Sequence, residues 1–166
     1  ESQMFDFQAA LMKQVWERPF ETARQMTIYG VFQEMATFVI YLRHEKVAQR
    51  YNDEALATAY RFAARDEVAH ARFYEDVTKV CLEEDREGTL RDINLVVKRF
   101  EMPGVGIVPD YDARIEVMRE EGAVDRDLFY KKVFFPTLRR LGVERAELGA
   151  AARREREERR GTEAAE

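Results

Sequence analysis

The sequence predicts an all-α protein in which shorter helices pack around two long ones. The 166 residues contain only eight Gly and four Pro, whereas Ala, Glu, Arg and Leu, which favour helix, are abundant. Two long segments, Phe20 to about Arg50 and about Asp53 to Glu84, have apolar residues at helical spacing. The turn Tyr51–Glu54 separates them, and so short a connection makes the two helices antiparallel neighbours.

Local signals predict the elements that precede and separate the two long helices. Met4–Trp16 is predicted to form a short amphipathic helix, because its apolar residues recur on one face. Pro19 ends this short helix. It is expected to lie early in the first long helix, where its missing N–H does not remove a helical hydrogen bond. Asn52 or Asp53 is expected to cap the second long helix.

Shorter helices are predicted to follow. Glu83–Gly88 is a polar break, and Met102–Pro109 must be irregular because it contains two Pro and two Gly. Pro136 is expected to bend or end a turn. Five residues of the last predicted helix are expected to form core rather than a binding site: Phe129, Tyr130, Val133, Phe134 and Leu138. The predicted helices are Thr89–Glu101, Asp110–Glu121 and Asp125–Leu141.

The chain is predicted to contain one helical domain, residues 1–141, followed by a charged tail, residues 142–166, which is either helical or disordered. The net charge of −5 argues against nucleic acid as a partner. No apolar segment approaches the roughly 20 residues of a membrane span, and the N-terminus lacks a secretory signal. The single Cys81 cannot form an internal disulfide, so the expected location is the reducing cytoplasm.

A Glu-x-x-His pair, Glu67 and His70, lies on the apolar face of the second long helix. Residues three apart project from the same side, together with Tyr60 and Tyr74, while Glu75 falls on the opposite face. A buried carboxylate without a partner is costly, so Glu67 should be protonated, paired or bound to metal. This pair alone leaves two explanations open. The His is held by the Glu of the preceding turn, or the pair is the ligand unit of a di-iron bundle.

Glu34 is a second carboxylate, in a stripe of small and apolar residues on the first long helix. In isolation, pairing with a neighbouring helix would be the simpler explanation. Glu34 is about 18 residues from the turn and Glu67 about 15, so at about 1.5 Å per residue they lie at similar heights. We therefore expect Glu34, Glu67 and His70 to converge. His44 has no Glu three residues before it and is expected to be an ordinary histidine at the helix surface or boundary.

These residues are half of the set that a di-iron bundle uses. Such a site takes one Glu from each of two helices and one Glu-x-x-His from each of two others. This chain has one Glu and one Glu-x-x-His on apolar helix faces. The remaining ligands must come from elsewhere.

The segments Phe32–Phe38 and Ala64–His70 resemble the second half of the acyl-[acyl carrier protein] desaturases, with the closer likeness to bacterial, mycobacterial-type members. Lys98–Pro103 resembles the family's segment after the second ligand helix. The likeness extends from about Pro19 to Pro109 and is weaker in the last third. It implies a ferritin-like helical bundle, of which this chain is the C-terminal half.

The resemblance also implies a role for each site residue. Glu34 would be a terminal ligand of one iron, Glu67 would bridge both irons and His70 would bind one through a ring nitrogen. Thr37 matches the family's active-site Thr, which is thought to assist oxygen activation. Asp66 matches an acid that would orient a metal-bound His, although it could also be an ordinary charge at the edge of the apolar face.

The activity that the resemblance implies is O2-dependent desaturation by a di-iron centre. Two hydrogens would be removed from a fatty acyl chain on acyl carrier protein, in a narrow apolar channel, to give a cis double bond. A ferredoxin-type protein would supply electrons, and the enzyme would be a homodimer. Lys98 and Arg99 are candidate contacts for the carrier protein.

The family's first ligand helix and first Glu-x-x-His have no counterpart in this sequence. We expect the chain to be a C-terminal piece of a full-length enzyme. A separate chain could instead complete the site, or two copies could pair by two-fold symmetry. Two other functions stay open: another ferritin-like di-iron oxidase or hydroxylase, and a helical scaffold that has lost its metal.

Overall fold

The computed structural model describes residues 2–163, which form an all-α, ferritin-like helical bundle, as predicted. Within this range no residue lies in a strand, and no helix combines the length and the apolar character needed to cross a membrane. The helices are α1 (Ser2–Leu11), α2 (Ala23–Arg50), α3 (Glu54–Glu84), α4 (Arg86–Lys98), α5 (Tyr111–Glu120), α6 (Arg126–Leu128), a π-helical segment (Phe129–Phe134), α7 (Phe135–Arg140) and α8 (Arg145–Glu163).

Helix α1 ends at Leu11, so the prediction that it continues to Trp16 is wrong. Met12 and Trp16, which the predicted helix would have placed on its apolar face, are 81% and 43% exposed. Because no neighbouring helix covers these side chains within the described residues, burial does not stabilise further helical turns.

Helix α2 begins later than predicted, and Pro19 lies outside it. Thr22 caps the helix, because its hydroxyl accepts a hydrogen bond from the Gln25 N–H at 3.1 Å. The Gln25 side chain accepts in return from the Thr22 N–H, which completes a capping box. This reciprocal cap, rather than the proline, fixes the first turn.

Aspartates cap the two helices that follow the tight turns. Asp53 caps α3, as predicted, by accepting a hydrogen bond from the Leu56 N–H at 2.9 Å. Asp85 accepts from the Gly88 N–H at 2.9 Å and caps α4 in the same way. The predicted polar break Glu83–Gly88 is therefore a single-residue junction, and α4 begins earlier than predicted.

The helix predicted over Asp125–Leu141 is interrupted by the π-helical segment. Pro136 follows directly, at the start of α7, where the wider turn accommodates its missing N–H. Beyond residue 141, Leu148 and Ala151 of α8 are buried in the same core as α2 and α4. The division of the chain at residue 141 stays a prediction.

Helices α2 and α3 form the long antiparallel pair on which the bundle is built. Four of the six buried positions of α3 recur every seven residues, which is the spacing of a helix–helix seam. They carry small side chains, so the two backbones approach closely. These residues are Ala57, Ala64, Ala71 and Thr78.

The core forms where the shorter helices pack on α2 and on part of α3, which contributes Ala71 and Leu82. There α4, α8, the π-helical segment and α7 supply apolar side chains that exclude water from the bundle centre. Among the largest fully buried side chains are Ile28, Phe32, Leu90, Ile93, Val133 and Leu138.

Glu75 is only 5% exposed, although it lies on the face of α3 opposite the predicted apolar stripe. Arg140 of α7 donates from Nε to a Glu75 carboxylate oxygen at 2.7 Å, and from Nη2 to the Thr137 hydroxyl at 2.9 Å. The position of α7 against this face of α3 cannot be read from the periodicity of α3 alone. The ion pair therefore ties α3 to the C-terminal helices.

We expect Gly30→Ala to destabilise the protein by about 1–3 kcal/mol, because the new Cβ would lie 2.9 Å from the Tyr74 ring. Gly149→Ala on α8 is the matched control. Its Cβ would meet only Arg153 at 3.6 Å, so helix propensity should stabilise the protein by about 0.5–1 kcal/mol. Urea unfolding of both variants tests this, and a stabilised Gly30→Ala protein would contradict the close α2–α3 contact.

We expect Arg140→Met to destabilise the protein by about 1–3 kcal/mol, because it leaves the buried Glu75 carboxylate without its partner. The double variant Glu75→Leu/Arg140→Met should recover most of that loss, since no buried charge remains. Thermal unfolding of the two variants measures the difference. Equal stability of the single and double variants would show that the ion pair does not hold the buried charge.

Candidate functional site

Glu34 of α2 meets Glu67 and His70 of α3 at one point, as their spacing predicts. One candidate ligand atom from each residue lies within 4.8 Å of the others. His70 Nδ1 is 3.2 Å from a Glu67 carboxylate oxygen and 3.5 Å from a Glu34 carboxylate oxygen. Two carboxylates and an imidazole are suitable ligands for iron. Their role as metal ligands stays a prediction.

The three side chains differ in exposure. Glu34 and Glu67 are 15% and 14% exposed, in keeping with their apolar helix faces, whereas His70 is 59% exposed. The cluster is therefore open on the side of His70. Helix α3 also exposes large apolar side chains on either side of this position in the chain, namely Phe62, Phe73, Val77 and Val80.

The pKa values of Glu34 and His70 are shifted, because both belong to a cluster whose two carboxylates lie close together and are mostly buried. Burial, followed by the hydrogen bond and the negative charge of Glu67, raises the pKa of Glu34 to about 7, while His70 acts in the opposite direction. The hydrogen bond to Glu67 is the main cause that raises the pKa of His70. A bound cation would offset the repulsion between the carboxylates.

Thr37 lies one turn after Glu34. Its hydroxyl donates to the backbone carbonyls of Gln33 at 2.8 Å and Glu34 at 3.1 Å. Asp66 is 60% exposed, and its carboxylate lies 3.3 Å from the guanidinium of Arg65. The structure thus pairs Asp66 with Arg65, and a contact between Asp66 and a metal-bound histidine stays a prediction.

A cavity of about 840 Å³ extends from Thr37 along α2. It lies between α2, α5, the irregular segment after α4 and the π-helical segment, and most of its lining is apolar. Phe129, Tyr130 and Val133, which were predicted to be core residues, form part of this lining. Val133 is also fully buried, so a residue at this position can belong to the core and line the cavity at the same time.

Tyr41, His44 and Tyr60 also line this cavity, although none of them was predicted to be a site residue. His44 is half-buried, its Nδ1 lies 3.0 Å from the Ile40 carbonyl and its ring stacks on Tyr60 at 5.1 Å. The Tyr41 ring is 5.8 Å from that of Tyr60. A signal was present, since Tyr41 follows Glu34 by two helical turns and Tyr60 precedes Glu67 by the same interval.

In the metal-free protein we expect Glu34 to titrate near pH 7 rather than at the ordinary value of 4.5. Because its folded-state pKa is raised, Glu34 should reduce the free energy of unfolding as the pH rises from 4.5 to about 7. Glu67→Gln removes a negative charge and should lower the Glu34 pKa. Carbon-13 NMR titration of the side-chain carboxyls measures this, and an ordinary Glu34 titration would contradict the geometry.

Comparison with known proteins identifies relatives of this chain. The sequence model of a family described as fatty acid desaturase matches residues 6–159. The putative acyl-[acyl-carrier-protein] desaturase DesA1 of Mycobacterium tuberculosis is 24% identical over 123 residues, which are 74% of this chain and 35% of that protein.

Two plant proteins match a shorter segment. Stearoyl-[acyl-carrier-protein] 9-desaturase 4, chloroplastic, of Arabidopsis thaliana is 35% identical over 77 residues, 46% of this chain and 19% of that protein. Palmitoyl-[acyl-carrier-protein] 4-desaturase, chloroplastic, of Coriandrum sativum is 35% identical over 77 residues, 46% of this chain and 20% of that protein.

The matched segments span about a third or less of these relatives. The family match nevertheless covers nearly all of the present sequence, including both helices that bring Glu34, Glu67 and His70 together. This chain therefore belongs to the fatty acid desaturase family.

Proposed function

We propose that this chain supplies half of a di-iron site to an enzyme that desaturates a fatty acyl chain carried on acyl carrier protein. The observation that carries the proposal is the convergence of Glu34, Glu67 and His70 one helical turn from an apolar cavity. The relatives are named as desaturases of acyl groups on acyl carrier protein, which supports the substrate class.

Glu34, Glu67 and His70 would hold the iron. Carboxylates from two helices and a Glu-x-x-His histidine are the ligand types of di-iron bundles, and a bound cation would stabilise two mostly buried carboxylates in their charged form. When bound, the metal supplies the redox chemistry with O2 that an unactivated acyl chain needs. The protein's own contribution is to bind and orient the chain.

The cavity provides a place for the acyl chain. Its lining is mostly apolar, so a hydrocarbon chain within it would be removed from water. Thr37 lies between the cavity and the ligand cluster, because it lines the cavity and its hydroxyl bonds to the backbone carbonyl of Glu34. We assign Thr37 the role of the active-site threonine that the family resemblance implies.

The remaining ligands would come from a second helix pair that covers the open side of the cluster. Phe62, Phe73 and Val80 are between 50% and 64% exposed on the helix that carries His70. A group of exposed apolar side chains is typical of an interaction surface. A helix pair with one Glu and one Glu-x-x-His would bury them and complete the ligand set.

The partners and location are part of the same proposal. A ferredoxin-type protein would donate electrons, the assembly would be a homodimer and the enzyme would work in the cytoplasm. The second helix pair has three possible sources: a longer form of this polypeptide, a separate chain, or a second copy of this chain.

Iron content, mass in solution and product analysis test the proposal together. We expect the assembly that completes the site to bind two irons per site and to form a cis-monounsaturated product from acyl carrier protein substrates. His70→Ala should lower both iron and product. Thr37→Val should keep the iron and lower the product by about tenfold or more. Thr162→Val, which removes a similar hydroxyl-to-carbonyl bond on α8, is the control and should change neither.

Other outcomes distinguish the alternatives. A hydroxylated acyl product from an iron-loaded assembly would indicate a di-iron hydroxylase instead. Failure to bind iron in every assembly would indicate a helical scaffold, and the desaturase proposal would be wrong.

A further inference from the structure

The mostly apolar cavity has a polar end formed by Tyr41, His44 and Tyr60. The Tyr60 ring lies 5.8 Å from Tyr41 and 5.1 Å from His44, and all three residues line the cavity. The charged lining residues Lys98, Arg114, Arg119 and Asp125 are exposed. The three rings are at least half-buried and lie beside one another in the cavity wall.

The polar end has unused hydrogen-bonding capacity. A backbone carbonyl can only accept, so the contact of His44 with Ile40 places the imidazole proton on Nδ1 and leaves Nε2 of the neutral ring as an acceptor. Among the residues that the structure describes, the hydroxyls of Tyr41 and Tyr60 bond to no protein group, and no fully buried side-chain N or O lacks a partner. Both hydroxyls are therefore accessible.

The polar end lies in line with the candidate metal ligands. Tyr41 is seven residues after Glu34 on α2, and Tyr60 is seven residues before Glu67 on the antiparallel α3. Both intervals point in the same direction and correspond to about 10 Å along the helix axis. Thr37 lies between the ligands and the polar end and lines the same cavity.

We propose that Tyr41 and Tyr60 bind the thioester carbonyl of the fatty acyl substrate and so determine which carbons lie beside Thr37. This rests on the proposed function and adds the residues that position its substrate. A carbonyl oxygen accepts hydrogen bonds from phenol hydroxyls, and the hydrocarbon then occupies the apolar part of the cavity.

The opposite orientation is unfavourable. A methyl end placed against Tyr41 and Tyr60 would displace water from two hydroxyls without replacing its hydrogen bonds. With the carbonyl at the polar end, a fixed distance separates it from the metal ligands. A fixed distance predicts one principal double-bond position.

A binding experiment on the 166-residue chain tests the carbonyl contact without iron. The probes are octadecanoyl pantetheine, a thioester, and octadecyl pantetheine, a thioether of equal length without the carbonyl. We expect calorimetry to show that the thioester binds about three- to tenfold more tightly. The double variant Tyr41→Phe/Tyr60→Phe should lose this preference.

Tyr51→Phe is the matched control, because Tyr51 is exposed and its hydroxyl bonds to Glu121 outside the cavity. It should keep the preference for the thioester. Equal binding of the two probes to the unaltered chain would overturn the inference. So would an unchanged preference in the double variant, or failure of the chain to bind either probe.

Product analysis separates this inference from the proposed function. In an iron-loaded, active assembly, the double variant should give a shifted or broadened set of double-bond positions, measured by mass spectrometry. An unchanged single position would overturn the inference while the desaturase function stands. Thioester-dependent binding without desaturation in any assembly would overturn the function while the carbonyl site stands.

Discussion

The close antiparallel contact between α2 and α3 is the constraint on which both the ligand cluster and the cavity depend. Small side chains on α3, Ala57, Ala64 and Ala71, allow the backbones to approach, and Gly30 admits the Tyr74 ring at the same seam. At this separation, short side chains such as Glu34 and Glu67 can meet. The same seam brings Tyr41 to Tyr60 two turns further along.

The sequence was sufficient to predict the two long helices and the convergence of the cluster. Periodicity identifies the helices, and a turn closed by the Asp53 cap aligns them, so counting residues gives the relative heights of Glu34 and Glu67. Both predictions depend on local geometry within one helical hairpin. They need no knowledge of how the rest of the chain packs.

The features that the sequence did not predict depend on distant segments. Glu75 is buried because Arg140, 65 residues later, reaches it from α7. The cavity exists because α5 and the irregular segment after α4 lie beside α2, and neither position follows from periodicity. The spacing of Tyr41 and Tyr60 from the ligands could have identified them. Aromatic residues on the apolar face of a helical wheel are, however, ordinarily interpreted as core.

The proposed metal site would account for two unusual features of the ligand cluster and of α3. The fold holds Glu34 and Glu67 mostly out of water, where burial raises the pKa of Glu34, and this arrangement does not favour stability. On α3, which carries Glu67, His70 and several apolar side chains are exposed, which does not favour solubility. A cation between the carboxylates would remove the first disadvantage, and a second helix pair over α3 would remove the other. Because the carboxylates and His70 belong to one cluster, a complementary helix pair that held a metal together with them would do both at once.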